Sequence, residues 1–192
     1  MGTRQKSDAA QGSAEQLLEE ATIRLLRRDG VLAGLNLRQV AEEAGVTRGL
    51  VYHHFGSRRA LLRSALRNSA RPKRAGILAR GRLGPRARLA DFLRRTIHDS
   101  TTVQLLTLLI LDGDAGVSGL PYPEESRLVY ERDIAEGRLS DDISVEGLQA
   151  GFAAAVYGWA IYRRSFANSL GVEVETLDAE VERLFHRMHG AP

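Results

Sequence analysis

The 192-residue sequence predicts an all-α protein, and three observations carry that expectation. Apolar residues recur along the chain at the three-and-four spacing of a helix face. Alternating β-branched runs and Asn-Gly hairpin turns are absent. Ser, Thr or Asn stands before apolar stripes and Gly after them, as helix starts and stops require. With 43% apolar residues, the chain can build a proper core as one large domain or two small ones.

The elements follow in order. Residues 1–12 are polar and read as a disordered tail, with Arg4 and Lys6 able to visit a minor groove. A first helix opens at Ser13, which can cap the amide of Gln16, carries Leu17, Leu18, Ala21 and Leu25, and stops at Asp29-Gly30. Asn36 caps a short helix through Ala44, whose inward stripe is Leu37, Val40, Ala41 and Ala44. Gly45-Val46 makes a tight turn, and Thr47 caps a third helix ending near Phe55-Gly56. Ser57 caps a fourth, with Ala60, Leu61 and Leu62 facing inward.

Two helices of about eight residues joined by a glycine turn outline a helix-turn-helix, whose second helix normally enters the major groove. Arg48 lies in the first turn of that second helix, where it can pair bidentately with guanine, and Gly49 lets the backbone approach closely. Leu50 can pack on a thymine methyl. Tyr52, His53 and His54 suit phosphate contacts, Arg58 adds a cation beside the amides opening the fourth helix, and Thr47 can cap and touch phosphate at once. Simpler readings stand beside these: Tyr52 and Phe55 as core aromatics, Arg48 as a solvated charge. Metal binding by His53 and His54 is not expected, because adjacent helical residues point about 100° apart and neither has a ligating partner four residues away.

The stretch from Asn36-Leu-Arg-Gln-Val-Ala through Gly45-Val-Thr-Arg-Gly-Leu-Val-Tyr-His-His-Phe-Gly-Ser-Arg-Arg-Ala-Leu-Leu62 resembles the DNA-binding domain of TetR-family transcriptional regulators. The likeness covers about residues 14–66, without insertion. It implies DNA contacts from Arg38 and Thr47, base-proximal roles for Arg48, Gly49 and Leu50, and phosphate contacts from Tyr52, His53, His54 and Arg58. Leu50 departs from the small or hydroxylated residue frequent there in the family, and Leu26 from the usual aromatic of the first helix.

Charge is divided along the chain. Residues 1–88 hold 18 Lys+Arg against 7 Asp+Glu, and the remainder 9 against 17, so segments of +11 and −8 make up the net +3. One half suited to a polyanion and another with a different task is the reading adopted over chance drift. Residues 67–84 form a basic connector, broken by Pro72, that either tracks the DNA backbone or only links the domains. Arg outnumbers Lys 25 to 2, which favours bidentate phosphate contacts.

Residues 85–192 read as a second helical domain, with helices near 85–99, 101–112, 122–137, 144–168 and 176–189. On the fourth of these, Gly147, Gly151, Ala154, Gly158, Ile161 and Ser165 share a flat face, and the last helix offers Leu177, Val181, Leu184 and Met188. These stripes suit either a two-fold four-helix interface or an intramolecular core; the family resemblance implies a homodimer there. The opposite face carries Leu148, Phe152, Ala155, Trp159 and Phe166, with Tyr162 at its edge, as core or as a ligand box. The resemblance implies an effector site, with His98, Thr102, Leu105, Leu109 and Tyr122 as further candidates; an apolar cavity would take a hydrophobic or aromatic effector.

No glycine-rich phosphate loop, Gly-x-Ser-x-Gly or His-Glu-x-x-His occurs, so no enzyme, cofactor or metal is expected. Asp112 and Asp114 read as solvated loop acids. The absence of cysteine, of an apolar run of eighteen residues and of a secretory leader fits a cytoplasmic protein without a membrane span. The function expected is a homodimeric regulator, a repressor released by a small effector, on pseudo-palindromic double-stranded DNA. The alternative is a helical adaptor whose basic half binds polyanions non-specifically.

Overall fold

The structure, a computed structural model, describes the backbone of residues 2–31, 33, 35–120 and 122–188, and the side chains of these except at 2–13, 70–75, 78, 80 and 188. Among the described residues all regular structure is helical: α1 (Gly2–Asp29), α2 (Leu37–Ala44), α3 (Arg48–Phe55), α4 (Arg58–Arg80), α5 (Pro85–His98), α6 (Thr101–Leu111), α7 (Pro123–Ala135), α8 (Val145–Leu170) and α9 (Val174–Met188). No helix in these residues is long and apolar enough to cross a membrane. Contacts divide the chain into two compact units, Met1–Arg71 with Gln104–Gly119, and Pro72–Val103 with Leu120–Pro192.

In the first unit, α1 packs on α2 and α3. Leu18, Ala21, Leu25 and Leu26 of α1, Val40 and Ala41 of α2, Val51 of α3 and Leu61, Leu62 and Ala65 of α4 are buried. Leu26 thus serves as a buried core residue in place of an aromatic. Polar links add direction to this apolar packing. Arg24 Nε donates to Glu43 at 2.9 Å, joining α1 to α2, and the buried Ser64 hydroxyl donates to Glu19 at 2.5 Å, joining α4 to α1.

Caps set the element ends. The Asn36 side chain accepts from the amide of Arg38 at 2.9 Å, and Ser57 Oγ accepts from the amide of Ala60 at 3.2 Å, as their types predict. Gly45 closes α2 with φ +69°, and the amide of Val46 reaches back to Ala41 O, which fixes the sharp turn into α3.

Three expectations change. The helix does not start at Ser13 but continues back to Gly2; residues 2–12 contain no proline to stop it, and Ala9, Ala10 and Gln11 favour it, against the cost of Gly12. The side chains of Arg4 and Lys6 lie outside the described residues. Thr47 takes the cap position with extended backbone, yet its hydroxyl makes no cap hydrogen bond. Residues 67–80, read as a helix end and connector, are helical to Arg80; Pro72 lies within α4, and Gly81 is the first residue beyond it.

In the second unit, α8 packs against α5, α7 and α9, and α5 also meets α9. Leu89 and Leu93 of α5 and Val156 of α8 form a buried cluster, against which Phe92, Phe152, Tyr157, Trp159, Val181 and Phe185 pack. Ser144 caps α8 by accepting from the amide of Gly147 at 3.1 Å. Fully buried Asp133 anchors this unit: Arg88 of α5 pairs with it, and Arg138 Nη2 reaches it at 2.6 Å. Burying a carboxylate requires such neutralisation.

Candidate functional site

Val51 is buried at 1% exposure and holds α3 to the core, which leaves one face of the helix turned outward. Thr47, Arg48, Gly49, Tyr52, His53 and Arg58 are exposed, while Leu50, His54 and Phe55 are half-buried. A Cβ added at Gly49 would meet nothing within 4 Å. Packing inside the chain therefore gives no reason for a glycine there.

The polar groups of this face differ in how they are held. Arg38 on α2 is exposed and donates from Nε to Glu42 at 2.8 Å, one helical turn away. Arg48 donates from Nη2 to the hydroxyl of Tyr52 at 3.3 Å, with its guanidinium 5.6 Å from the ring centroid. The Thr47 hydroxyl is not committed to a cap. His53 and His54 meet edge to face at 5.4 Å; His54 Nε2 is covered and makes no hydrogen bond, so this nitrogen is not open to an outside phosphate. Among the described residues, no group of three His, Cys, Asp or Glu side chains gathers as a metal site would require.

Beside the start of α4, the expectation for the loop acids is corrected. Asp112 is exposed and pairs with Arg59 at 2.5 Å. Asp114 is not solvated: its side chain is fully covered, and Arg63 grips both oxygens, Nη2 to Oδ1 at 2.7 Å and Nε to Oδ2 at 3.1 Å. The amide of Gly116 also donates to it at 2.9 Å. A Cβ at Gly116 would lie 2.8 Å from the Arg63 guanidinium carbon, so a side chain there would push against this pair. The hydrogen bonds from Arg63 hold the Asp114 carboxyl below the usual carboxylate range; burial opposes this and the Gly116 amide adds to it. The available signal was Arg59 and Arg63 four apart on one helix, matched by two acids two apart.

The remaining candidates divide between the units. Leu105 and Leu109 are buried in the first, and Leu109 lines a cleft of about 450 Å³ that also touches Arg58 and Asp112. His98 is exposed, Thr102 half-buried, and Tyr122 half-buried with φ +61° at the start of α7. The three candidate aromatics of α8 have the following partners. Phe152 stacks on Tyr130 of α7 at 5.9 Å. Trp159 donates from Nε1 to Asp178 of α9 at 2.9 Å. Tyr162 is 54% exposed and stacks at 5.8 Å on the exposed Phe166, whose ring also lies 6.1 Å from that of Trp159. Phe152 and Trp159 both pack against the α5–α8 cluster, and Phe166 links Trp159 to Tyr162.

On the other face of α8, Gly151, Ala154 and Ser165 are exposed, and Gly158 and Ile161 half-buried. A Cβ at Gly151 or Gly158 would meet nothing within 4 Å. On α9, Leu184 is exposed and Leu177 half-buried, whereas Val181 packs on the α5–α8 cluster of its own chain; the Met188 side chain lies outside the described residues. Asp178, Asp133 and Asp114 were not singled out as anchors by the sequence pattern, because Arg163, Arg88 and Arg63 reach them from 15, 45 and 51 residues away, although Asp133 also has Arg138 five residues on.

Residues 18–65 match the family described as bacterial regulatory proteins, tetR family. No curated protein matches the sequence. Among solved structures, a protein described as a TetR-family transcriptional regulator from Rhodococcus sp. is similar at 20% identity, with 93% of this chain and 100% of that chain covered and a TM-score of 0.68. The fatty acid degradation regulator FadR from Bacillus halodurans is similar at 12% identity over 89% of this chain and 97% of that chain, TM-score 0.57. NalD, the secondary repressor of the MexAB-OprM multidrug efflux pump in Pseudomonas aeruginosa, is similar at 19% identity over 91% and 94%, TM-score 0.56.

Proposed function

From an amino-terminal domain of tetR type at residues 18–65, on a chain with the fold of TetR-family regulators, we propose a sequence-specific DNA-binding transcriptional repressor. It acts in the cytoplasm as a homodimer on a pseudo-palindromic operator. The observation that carries this reading is the outward face of α3, where Thr47, Arg48, Gly49, Tyr52 and His53 are exposed around one buried anchor, Val51. Arg48 reads a guanine edge, with Gly49 allowing close approach and Leu50 touching a methyl group. Thr47, Tyr52, His53 and Arg58 hold the phosphates, with His54 and Arg38 at the margin of the contact.

The dimer forms through α8 and α9, by Gly151, Ala154, Gly158, Ile161 and Ser165 with Leu177, Leu184 and Met188. Tyr162 and Phe166 extend that face as exposed aromatic anchors. Two-fold symmetry then sets two heads on two half-sites one helical turn apart. A hydrophobic or aromatic effector enters the second unit on the side where Phe152 stacks on Tyr130, and favours a conformer whose heads are mis-spaced. Moving such an equilibrium from 1:99 to 99:1 takes about 5.5 kcal/mol of differential affinity.

Selection of bound sequences from a random duplex pool tests the reading. The expected winner is a palindrome bound at least about a thousandfold better than scrambled duplex. Absence of enrichment, with weak and steeply salt-dependent binding to every duplex, would leave only a polyanion-binding adaptor.

A further inference from the structure

In the first unit, Arg48 is held differently from the arginines that are tied to acids. Arg24 is tied to Glu43, Arg28 to Asp29, Arg38 to Glu42, Arg59 to Asp112 and Arg63 to Asp114. Arg48 alone in this set rests on a neutral phenol, by a hydrogen bond at 3.3 Å and by the ring face at 5.6 Å. The sequence around it enforces this, since no acid occurs between Glu43 and Asp91. Arg48 and Tyr52 are one helical turn apart, the spacing at which two side chains on a helix surface meet.

The two kinds of partner have opposite consequences at a polyanion. A carboxylate neutralises the guanidinium, is repelled by the approaching phosphates, and must be displaced before the arginine can contact a base. A phenol orients the guanidinium without neutralising it and carries no charge to repel DNA. Tyr52 takes one of the five N–H donors of Arg48, leaving four, which is enough for the paired bonds to guanine O6 and N7. Holding a long, flexible side chain in one place before contact reduces the rotamer freedom lost on binding.

We propose that Tyr52 is a specificity-determining positioning residue, which orients Arg48 for base reading through its hydroxyl. This rests on the reading of α3 as the DNA-recognition helix, and gives Tyr52 a role separate from any phosphate contact of its own. A phosphate contact raises affinity for all duplexes alike; positioning of Arg48 raises preference at one base pair.

Fluorescence anisotropy with the full chain separates the two. Wild type, Arg48→Ala, Tyr52→Phe, Tyr52→Ala and the Arg48→Ala/Tyr52→Phe double variant are titrated against the selected operator and its single-base-pair variants. Tyr52 is 46% exposed, and circular dichroism checks that each variant folds. The base pair read by Arg48 is the one whose discrimination disappears in Arg48→Ala. At that pair, wild type discriminates by about tenfold or more. Tyr52→Phe keeps the ring and loses most of that preference, Tyr52→Ala loses the rest, and neither changes discrimination at other pairs. In the Arg48→Ala background, Tyr52→Phe has no further effect on discrimination. Uniformly weaker binding of Tyr52→Phe to all duplexes, with the Arg48-dependent preference intact, overturns the positioning role alone. A wild type with no base preference at any pair overturns both this inference and the recognition-helix reading.

Discussion

The outward faces of α3 and α8 are both left uncovered by their own units, and they differ in chemistry. On α3 the exposed set is Thr47, Arg48, Gly49, Tyr52 and His53, cationic and rich in donors. On α8 it is mostly small and aromatic, Gly151, Ala154, Ala155, Tyr162, Ser165, Phe166 and Leu170, with Glu146 and Arg164 as its exposed charges. Each helix is anchored by residues of the same apolar kind, Val51 in one and Val156 in the other, at 1% and 0% exposure. The buried side of a helix thus says how it is held, and the open side says what it is for. A donor-rich surface suits phosphates and base edges, whereas a small and aromatic one suits another apolar helix.

The largest expected effect tests the frame behind the α8 face. Asp133→Ala leaves Arg88 and Arg138 facing an empty buried site, and removing one partner of a buried pair costs about 3–5 kcal/mol. Thermal unfolding measures this; a loss below about 1 kcal/mol would mean that Asp133 is not the anchor of the second unit. Gly158→Leu addresses the face itself. A Cβ there meets nothing inside the chain, and leucine is the better helix former by up to about 1 kcal/mol. The folded chain should therefore hold its stability while self-association weakens by about tenfold to a hundredfold, as overpacking of an interface implies. Sedimentation showing an unchanged dimer would move the interface elsewhere.

The helix boundaries were legible because they depend on local chemistry. The expected spans of α5 to α9 end within about two residues of those observed, the usual scatter of helix ends. Asn36 and Ser57 cap as their types suggest, because a cap is a contact over two or three residues. Thr47 shows the limit: the cap position was legible, but whether the hydroxyl turns to the amide or to solvent depends on its rotamer. Asp114 shows a deeper one, since its partner Arg63 is 51 residues away in sequence, and the matched spacing of two arginines and two acids does not by itself say that they meet. On α8, 100° steps put Trp159 and Phe166 on one face with Tyr162 at its edge, and their rings do meet, but the bond of Trp159 to Asp178 of α9 was not legible in that periodicity.

On the α3 side, Arg58→Ala removes an exposed cation from the proposed phosphate set. It should weaken binding to every duplex and flatten the salt slope by about one. A slope identical to wild type would take Arg58 out of the contact.

The most local effect is one of pH. The Asp114 carboxyl, held low by Arg63, contributes stability that is present above the ordinary carboxylate value of about 3.9 and lost as pH falls through the lowered one. The stability gap between wild type and Arg63→Met should therefore narrow as the solution is acidified below about pH 4. A gap of constant size across that range would show that Arg63 acts by packing and not by charge.

The central claim is that α3 reads bases, and the comparison of Arg48→Ala with wild type on operator and scrambled duplex tests it most directly. The expected result is a loss of about 1–3 kcal/mol on the operator and little change on scrambled DNA. Equal losses on both duplexes would contradict it, leaving Arg48 as one more cation on a surface that binds DNA by charge alone.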